Sequence, residues 1–303
     1  MKIIILGSQG FIGSYLCDHF FNAGYTVYGA DVQELPALVK YNYVKVSRLS
    51  AEWEDLLKLT AFDLCINAAG SGNVPYSFDS PVIDFEANTL DVVRILDALR
   101  KYIPACKYIH ISSAAVYGNP NTLPIKESAL LQPISPYGFH KMMSEIICRE
   151  YHQLYHLNVA IIRPFSIYGV GLRKQLLWDV CNKLYANKSI TLFGSGNETR
   201  DFIHIKDFVL LVEKIAEKGN FNCEIYNAAS GRQIKINEVA AIFEKGFGSD
   251  KIIYFNGGLK QGDPLNWQAD ISKIAVLGYK PLEDFTDGVN DYITWFKKLY
   301  AKR

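Results

Sequence analysis

Lys2-Ile3-Ile4-Ile5-Leu6-Gly7-Ser8-Gln9-Gly10-Phe11-Ile12-Gly13 is the stretch that predicts the fold of this 303-residue chain. It opens on a short continuous apolar run, which is typical of a strand covered on both faces of a parallel sheet. Apolar residues at helical spacing follow the three glycines. Strand, glycine turn and helix in this order predict a dinucleotide-binding unit. Gly7, Gly10 and Gly13 permit a tight turn, and the N–H groups at the helix start, from Phe11 and Ile12 onward, bind a pyrophosphate.

An acidic residue ends the second predicted strand, Thr26-Val27-Tyr28-Gly29-Ala30-Asp31. Asp31 stands about twenty residues past the glycines, where a carboxylate pairs with the ribose 2′-hydroxyl and repels a 2′-phosphate. The position therefore favours NAD over NADP as the cofactor. The alternative interpretation of Asp31 is an ordinary aspartate in a turn or at a helix cap.

Strand-like apolar runs alternate with helical patterns through the first half of the chain. This alternation predicts an α/β fold with a doubly wound parallel sheet, Rossmann-like and with right-handed connections. Small-residue loops follow the fourth and fifth strands, one containing Ala68, Ala69 and Gly70 and the other containing Ser113. Because ligands of such sheets bind at the carboxyl ends of the strands, we expect both loops to face the ligand site.

Tyr137 and Lys141 lie four residues apart where a strongly patterned helix opens, in Ser135-Pro136-Tyr137-Gly138-Phe139-His140-Lys141. At this spacing the two side chains share one side of the helix. An ammonium beside a phenol lowers the pKa of the phenol, so Tyr137 is predicted to act as a base near neutral pH. For the spacing alone, a surface Tyr–Lys pair without a function is the alternative.

The composition indicates which kinds of binding partner and which cellular compartment to expect. With 32 basic and 31 acidic residues the formal net charge is +1, so no nucleic acid and no membrane is an expected partner. No stretch approaches about 20 apolar residues, which predicts no membrane span, and the N-terminal residues predict no signal peptide. The six cysteines are scattered without metal-ligand spacing, which predicts no metal site and a cytoplasmic protein with reduced thiols.

In their order and spacing, the motifs of the chain resemble those of the extended short-chain dehydrogenase/reductase family, in its nucleotide-sugar epimerase and dehydratase branch. The resemblance covers nearly the whole length of the chain. Its motifs are the glycines at 7–13, Asp31, Asn67-Ala68-Ala69-Gly70, Asn88, the stretches 113–118 and 133–141, Arg163-Pro164-Phe165, Phe193-Gly194, Arg200-Asp201-Phe202-Ile203-His204 and Gly262-Asp263-Pro264. The resemblance implies an NAD cofactor and a nucleotide-diphosphate sugar as substrate. It also implies a homodimer, formed by the helices predicted near 81–102 and 136–157.

The same resemblance implies roles for single residues. Ser113, Tyr137 and Lys141 are expected to be catalytic, and the last two also to contact the cofactor. Asn88 is expected to brace the active-site helix within the cofactor site, with a solvated helix residue as the alternative. The expected substrate-binding residues are Ser113, Ser166, Phe193, Arg200 and Lys260.

Two of the expected substrate residues fit the pattern of the family. Phe193 offers an aromatic face for a base, and Arg200 offers a guanidinium for a diphosphate, as the resemblance implies. Two others depart from that pattern. Lys260 stands where many relatives carry arginine, and it keeps the charge without the bidentate geometry. Ser166 stands where epimerases commonly carry asparagine, which places a substrate hydrogen bond in question.

The regular alternation of strands and helices weakens after Arg163-Pro164-Phe165. Residues 1–165 are therefore expected to form the Rossmann-like NAD-binding domain, to which a segment near 200–230 returns. Residues 166–303 are expected to form a smaller, discontinuous domain that binds the nucleotide sugar.

The two residues after Ser113 bear on the reaction. Dehydratases and decarboxylases of this branch need an acid there, whereas this chain has Ala114 and Ala115, so both reactions are excluded. The favoured hypothesis is an NDP-hexose 4-epimerase of the UDP-glucose 4-epimerase type. A reductase of 4-keto-6-deoxy sugars, using the same three catalytic residues, is the first alternative. The second is a catalytically silent dinucleotide-binding sensor or scaffold, against which the intact catalytic residues argue.

Overall fold

A computed structural model of the chain describes residues 1–34, 39–47, 52–248 and 250–301. The strands are β1 (Lys2–Leu6), β2 (Thr26–Asp31), β3 (Asn42–Lys45), β4 (Leu64–Asn67), β5 (Lys107–Ile111), β6 (Asn158–Pro164), β7 (Ser166–Tyr168), β8 (Ser189–Leu192), β9 (Thr199–His204), β10 (Asn222–Ala228), β11 (Gln233–Lys235) and β12 (Ile252–Phe255). The helices are α1 (Phe11–Asn22), α2 (Glu52–Lys58), α3 (Val74–Asp79), α4 (Pro81–Phe85), α5 (Asp91–Tyr102), α6 (Pro136–Tyr155), α7 (Gln175–Ala186), α8 (Ile205–Lys218), α9 (Ile236–Phe247), α10 (Ser272–Val276) and α11 (Phe285–Ala301).

A seven-stranded sheet in the order β10-β6-β5-β4-β1-β2-β3 forms the centre of the molecule, and every neighbouring pair in it is parallel. The predicted α/β fold with a Rossmann-like parallel sheet is therefore confirmed. None of the helices in the described ranges is long and apolar enough to cross a membrane.

The apolar run that opens the chain supplies side chains to both faces of this sheet. Ile3 and Ile5 of β1 pack into one core cluster, which also contains residues of α1 and α8. Ile4 and Leu6 pack into a second cluster on the opposite face, with residues of α2, α5 and α6. Because successive side chains of a strand point to opposite faces, a strand covered on both sides must be apolar at every position.

The later segments add two smaller sheets. β11, β9 and β7 form a three-stranded sheet in which β11 is antiparallel to β9, and β12 pairs with β8 in parallel. A further core cluster of buried aromatic and aliphatic side chains joins these strands to α7, α9 and α11. The returning segment is β10, which adds to the edge of the large sheet beside β6. The division into domains at 165 and 166 stays a prediction.

The helix predicted over 81–102 is interrupted. α4 and α5 are joined by a π-helical turn, Glu86–Leu90, rather than by regular helix. A π turn inserts one extra residue into the helical repeat, so it changes which side chains face the neighbouring elements. Asn88 lies within this turn, and its surroundings are described with the site.

A buried ion pair links α6 to β6 below the carboxyl ends of the strands. Arg163 donates from Nε and Nη2 to the two carboxylate oxygens of Glu145, at 2.9 and 2.6 Å. Ser112, which follows β5, donates to the same carboxylate at 2.5 Å, and Tyr117 accepts from Arg163 Nη1 at 2.8 Å. Arg163 and Glu145 are each 2% exposed. The pair therefore joins two strand ends to the middle of α6 with its hydrogen bonds satisfied.

Replacing Arg163 with methionine should destabilise the fold severely, because Glu145 would be left buried without its cation. We expect the free energy of unfolding to fall by about 3–5 kcal/mol, measured by urea unfolding followed with far-UV circular dichroism. The matched control is Lys183→Met, which breaks the exposed Lys183–Asp179 pair at 2.8 Å and should cost less than about 1 kcal/mol. If the free energy of unfolding fell equally in the two variants, the buried pair would not be more important for stability than the exposed one.

Candidate active site

A cavity of about 890 Å³ lies at the carboxyl ends of the strands, between the large sheet and the segments that follow β6. The cavity collects residues from distant parts of the sequence. The predicted site residues that line it are Gly10, Phe11, Ile12, Ala68, Ala69, Gly70, Ser113, Tyr137, Lys141, Ser166, Phe193, Arg200 and Lys260. Gly7, Gly13, Asp31 and Asn88 do not line it, and each is placed behind or beside a lining loop.

The glycine turn is closed by contacts that leave no room for side chains. Gly7 has a φ of +77°, and a Cβ there would lie 2.7 Å from backbone atoms of Ala69. A Cβ on Gly13 would lie 2.0 Å from the carbonyl oxygen of Gly7. These two glycines therefore shape the turn, whereas Gly10 at the N-cap of α1 lines the cavity. No side chain caps the start of α1, which leaves its first N–H groups directed at the cavity.

Asp31 is tied to the glycine turn at the end of β2. Its carboxylate accepts the backbone N–H of Gln9 at 2.9 Å and that of Gln33 at 3.1 Å, and the residue is 8% exposed. These two hydrogen bonds hold the Asp31 carboxylate beside the turn, at the position where a ribose is expected.

Asn88 donates to the loop after β4, and its expected bracing of the active-site helix stays a prediction. Its side-chain nitrogen donates to the carbonyl oxygen of Ser71 at 3.1 Å, and its oxygen is buried without a hydrogen-bond partner among the described residues. A Cβ on Gly70 would lie 2.6 Å from that oxygen. The next residue, Thr89, donates to the carbonyl oxygen of His140 in α6 at 3.0 Å.

Hydrogen bonds to both backbone and side-chain atoms fix the first turns of α6. Ser135 caps the helix by accepting the N–H of Gly138 at 3.1 Å, as predicted, and Ser77 accepts the N–H of Tyr137 at 3.1 Å. The side chain of Ser113 lies close enough to the phenol of Tyr137 to lower its pKa. Lys141 donates from Nζ to the carbonyl oxygen of Ile111 at 3.0 Å. The three residues expected to be catalytic are therefore brought together.

Burial opposes the charged forms of Tyr137 and Lys141. It raises the pKa of the Tyr137 phenol to about 12, against the hydrogen bond from Ser113, which lowers it. It lowers the pKa of the Lys141 ammonium to about 8, and the largest opposing effect is the charge of Asp84. The sequence-based expectation that Lys141 lowers the pKa of Tyr137 stays a prediction. Desolvation is the largest effect on the phenol in the cofactor-free protein, because burial disfavours the phenolate.

Apart from Ser113, the residues expected to bind the substrate come from the segments after β6 and line the same cavity. Phe193 is 57% exposed, so its ring is free to stack on a planar group. Arg200 lies near Asp263, at 4.0 Å, and its guanidinium lies 6.0 Å from the ring of Trp267. Burial lowers the pKa of Arg200. Ser166 lies in β7, and Lys260 is exposed on the loop after β12. An aromatic ring and cations in one cavity suit an aromatic base with phosphates.

Sequence reasoning missed two charged residues of the cavity. Lys174 precedes α7, and its Nζ would lie 3.3 Å from a Cβ on Gly72, so it reaches across to the loop after β4. It makes no ion pair or hydrogen bond with the rest of the described chain, and burial lowers its pKa. Glu198 accepts the backbone N–H groups of Ser195 and Gly196, at 2.9 Å each. Neither residue belongs to a short sequence pattern that would have identified it.

The residues present fit a dinucleotide. The uncapped start of α1 offers backbone N–H groups to phosphates, and Asp31 offers a carboxylate to ribose hydroxyls. Glycines at 7 and 13 keep side chains out of the turn. The loop of Ala68, Ala69 and Gly70 forms the opposite wall.

Comparison with known proteins agrees with the fold and the site. The sequence model of the "NAD dependent epimerase/dehydratase family" matches residues 3–229. The chain is 30% identical over 306 residues to a putative UDP-glucose 4-epimerase of Methanocaldococcus jannaschii, with 97% of this chain and 98% of the relative covered.

Two solved structures have the same fold along their full length. The UDP-glucuronic acid 4-epimerase from Bacillus cereus, in complex with UDP-glucuronic acid and NAD, is 29% identical, with a TM-score of 0.90. The match covers 99% of this chain and 100% of that one. The UDP-glucose 4-epimerase of Thermotoga maritima with UDP-glucose has a TM-score of 0.91 at 24% identity, over 99% and 100% of the two chains. The second comparison shows the fold alone.

Asp31 should make the protein select NAD against NADP, because its fixed negative charge repels a 2′-phosphate. We expect NAD to bind at least ~10-fold more tightly than NADP, about 1.4 kcal/mol, in titration calorimetry. Asp31→Ser should lower the ratio of the NADP dissociation constant to the NAD dissociation constant. Asp18→Ser, on the exposed side of α1, should leave this ratio unchanged. Equal dissociation constants for the two cofactors in the wild-type protein would contradict the placement of Asp31 at the ribose.

Proposed function

The chain belongs to the NAD dependent epimerase/dehydratase family, and on this premise we propose that it is an NAD-dependent 4-epimerase of a nucleotide-diphosphate hexose, of the UDP-glucose 4-epimerase type. The observation that carries the proposal is one cavity lined by two chemically different sets of residues. One set is Ser113, Tyr137 and Lys141, and the other includes Phe193 and Arg200. The nucleotide sugars in the names of the M. jannaschii and B. cereus relatives combine the groups that such a cavity suits.

Each of the three catalytic residues has a different role in the transfer of one proton. Tyr137 accepts the proton of the C4 hydroxyl as the sugar is oxidised, and it returns this proton when the hydroxyl forms again. Ser113, whose side chain lies beside the phenol, hydrogen-bonds the C4 oxygen and relays the proton. Lys141 supplies the cation that stabilises the phenolate and a donor for the cofactor ribose.

Burial raises the pKa of Tyr137, so a positive charge near the phenol would help it to act as a base. Oxidised NAD, when bound, would supply such a charge on its nicotinamide ring and an acceptor for the C4 hydride, and the reduced form would be the hydride donor for the return step. Gly10, Phe11, Ile12 and Asp31 are the residues that would hold the cofactor.

The positions after Ser113 support epimerisation over elimination. Ala115 lines the cavity, and Ala114 is fully buried in the core beneath it. Elimination of water across C5 and C6 needs an acid and a further base at this place. Small apolar side chains instead leave room for a sugar ring to turn between the two hydride transfers.

Ser166 favours a second candidate function, the reduction of an NDP-4-keto-6-deoxy sugar at C4. Its side chain lines the cavity where epimerases commonly carry asparagine. A reductase uses the same proton donor, but it consumes one reduced cofactor for each sugar. Ser113, Tyr137 and Lys141 converge in the cavity, which argues against the third hypothesis, a silent sensor or scaffold.

We also propose that the protein is a cytoplasmic homodimer. The six cysteines are all free thiols, which suits a reducing compartment. The outward faces of α4 and α6 carry exposed large apolar side chains. They are Val82, Ile83, Phe85, Phe139, Met143, Ile146 and Leu154. Such a patch on packed neighbouring helices suits an interface between two copies of the chain.

Light scattering coupled to gel filtration should report a dimer at micromolar concentration. Ile146→Glu, in the centre of the exposed face of α6, should convert it to a monomer, because a charge would be buried at the interface. Val276→Glu is the matched control: Val276 is 87% exposed on α10, and its variant should remain dimeric. A monomeric wild-type protein, or a dimer that survives Ile146→Glu, would contradict the proposal.

A labelled substrate separates the two reactions. With C4-deuterated nucleotide hexose, catalytic NAD and no NADH, an epimerase should give the C4-inverted sugar with deuterium retained at C4, detected by NMR and mass spectrometry. Retention follows because the hydride stays within the closed site. Tyr137→Phe, as the control for the base, should lower kcat by roughly 10²–10⁴. If no UDP-, dTDP- or GDP-hexose is inverted while a 4-keto sugar oxidises NADH stoichiometrically, the reductase replaces the epimerase.

A further inference from the structure

A chain of buried polar side chains leads from the loop after β4 into β5. The side-chain oxygen of Asn67 accepts the backbone N–H of Ala69 at 3.1 Å, and its side-chain nitrogen donates to the hydroxyl of Tyr108 at 2.9 Å. This hydroxyl lies 3.5 Å from Nδ1 of His110, which is the longest contact of the chain. Asn67, Tyr108 and His110 are all buried, and the rings of the last two are stacked. Since they are two residues apart in a strand, both rings lie on one face of the sheet.

The same chain continues from His110 into the catalytic helix. Nε2 of His110 lies 2.8 Å from the hydroxyl of Ser144 in α6, and this hydroxyl donates to the backbone carbonyl oxygen of Lys141 at 2.7 Å. Because the proton of Ser144 is directed at the carbonyl, its oxygen accepts from His110, which assigns the ring proton to Nε2. Nδ1 then accepts from Tyr108. All the hydrogen bonds from the N–H of Ala69 to the carbonyl of Lys141 therefore have the same direction, so each strengthens the next.

This order of donors and acceptors requires an uncharged imidazole. A protonated His110 would donate from both nitrogens, so it could not accept from Tyr108. Burial, together with the charge of Lys141, lowers the pKa of His110 well below its usual range. Burial also raises the pKa of the Tyr108 phenol well above its usual range. Both rings are therefore neutral near pH 7, and the chain is complete.

Two neighbouring residues of β5 hold the two ends of Lys141. Its ammonium donates to the backbone carbonyl oxygen of Ile111 at 3.0 Å. Its own carbonyl oxygen is bound by Ser144, which is bound in turn by His110. His110 and Ile111 are consecutive in the strand, so the backbone of β5 fixes both anchors relative to each other. The place of the lysine thus depends on His110, a side chain that does not itself line the cavity.

We propose that His110 is a positioning residue, which acts through Ser144 to place Lys141 against the carboxyl end of β5 and to tie it to the loop containing Ala69. The consequence for catalysis rests on the proposed function, whereas the hydrogen-bond chain does not. A displaced lysine would stabilise the developing phenolate of Tyr137 less well, because this interaction depends on geometry fixed in advance. Proton transfer should therefore suffer, and not the binding of the nucleotide sugar.

His110→Phe tests the proposal, because it keeps a buried aromatic ring and removes both ring nitrogens. We expect kcat to fall by roughly 10–100-fold. The KM for the nucleotide hexose should change less than about twofold, because the residues expected to bind the nucleotide are untouched. His110→Gln should restore kcat to within about threefold of the wild-type value, since its amide can accept from Tyr108 and donate to Ser144.

The matched control is His152→Phe, the same substitution later in α6. His152 is hydrogen-bonded to the carbonyl oxygen of Leu157 at 2.9 Å, so this variant also loses a hydrogen bond of the helix. Its kcat should equal that of the wild-type protein. Wild-type turnover in His110→Phe, an equal loss in the control, or a glutamine variant as slow as the phenylalanine variant would overturn the proposal.

Ser144→Ala tests the same link from the side of the helix, and it applies even if His110→Phe does not fold. It removes the hydroxyl that joins His110 to Lys141, so kcat should fall by a similar factor. Because the two residues act through one chain, the double variant should be no slower than the slower single variant. If the two losses multiply in the double variant, the residues act independently and the proposal is wrong.

A second readout needs no substrate. In protein labelled with ¹⁵N at histidine, NMR should show a neutral His110 ring with its proton on Nε2, from about pH 5.5 to about pH 8. His110→Gln identifies the signal by removing it, and Ser144→Ala should shift the Nε2 proton. If these results hold but no sugar is inverted, the chain and its hold on Lys141 are supported while the proposed function fails. A ring protonated on Nδ1, or one that titrates within this range, overturns the inference even if the protein is an active epimerase.

Discussion

The buried ion pair between Glu145 and Arg163 is the interaction on which the geometry of the site depends. Glu145 lies one helical turn after Lys141, and Arg163 lies near the end of β6. The carboxylate also accepts a hydrogen bond from Ser112, which directly precedes Ser113. One buried charge pair thus joins the strand end that carries the serine to the helix that carries the tyrosine and the lysine. Removing either charge would leave the other buried and unpaired, so the three catalytic groups share one structural constraint.

Burial at this place explains the chemistry as well as the stability. The environment that positions Tyr137 and Lys141 also raises the pKa of the phenol to about 12 and lowers that of the ammonium to about 8. A site of this kind keeps both groups uncharged more readily than water would. Charges brought by ligands then have large effects, because few mobile dipoles screen them.

The cavity is assembled from segments that lie far apart in the sequence. Its lining includes Phe193 after β8, Arg200 in β9 and Lys260 after β12, which belong to or follow strands of the two small sheets. β10 returns to the edge of the large sheet beside β6. The smaller sheets are therefore held against the cofactor-binding half by chain that crosses between the two parts more than once. Few positions in either part can change without affecting the cavity between them.

The sequence by itself predicted the parallel sheet, the glycine turn, the acidic residue at the end of β2 and the helix that carries Tyr137 and Lys141. Each depends on local spacing: period two or continuous burial in strands, period 3.6 in helices, and glycines where side chains do not fit. It also indicated Ser113, Tyr137 and Lys141, because the carboxyl ends of parallel strands share one edge. Only the tertiary structure showed that Asn88 donates to the loop after β4 while Thr89 donates to α6, from neighbouring positions of one π turn. Only it paired Asp84 with His140, 56 residues apart, and showed that burial raises the pKa of the Tyr137 phenol. Desolvation and long-range pairing depend on the packing around a group, which no short sequence pattern contains.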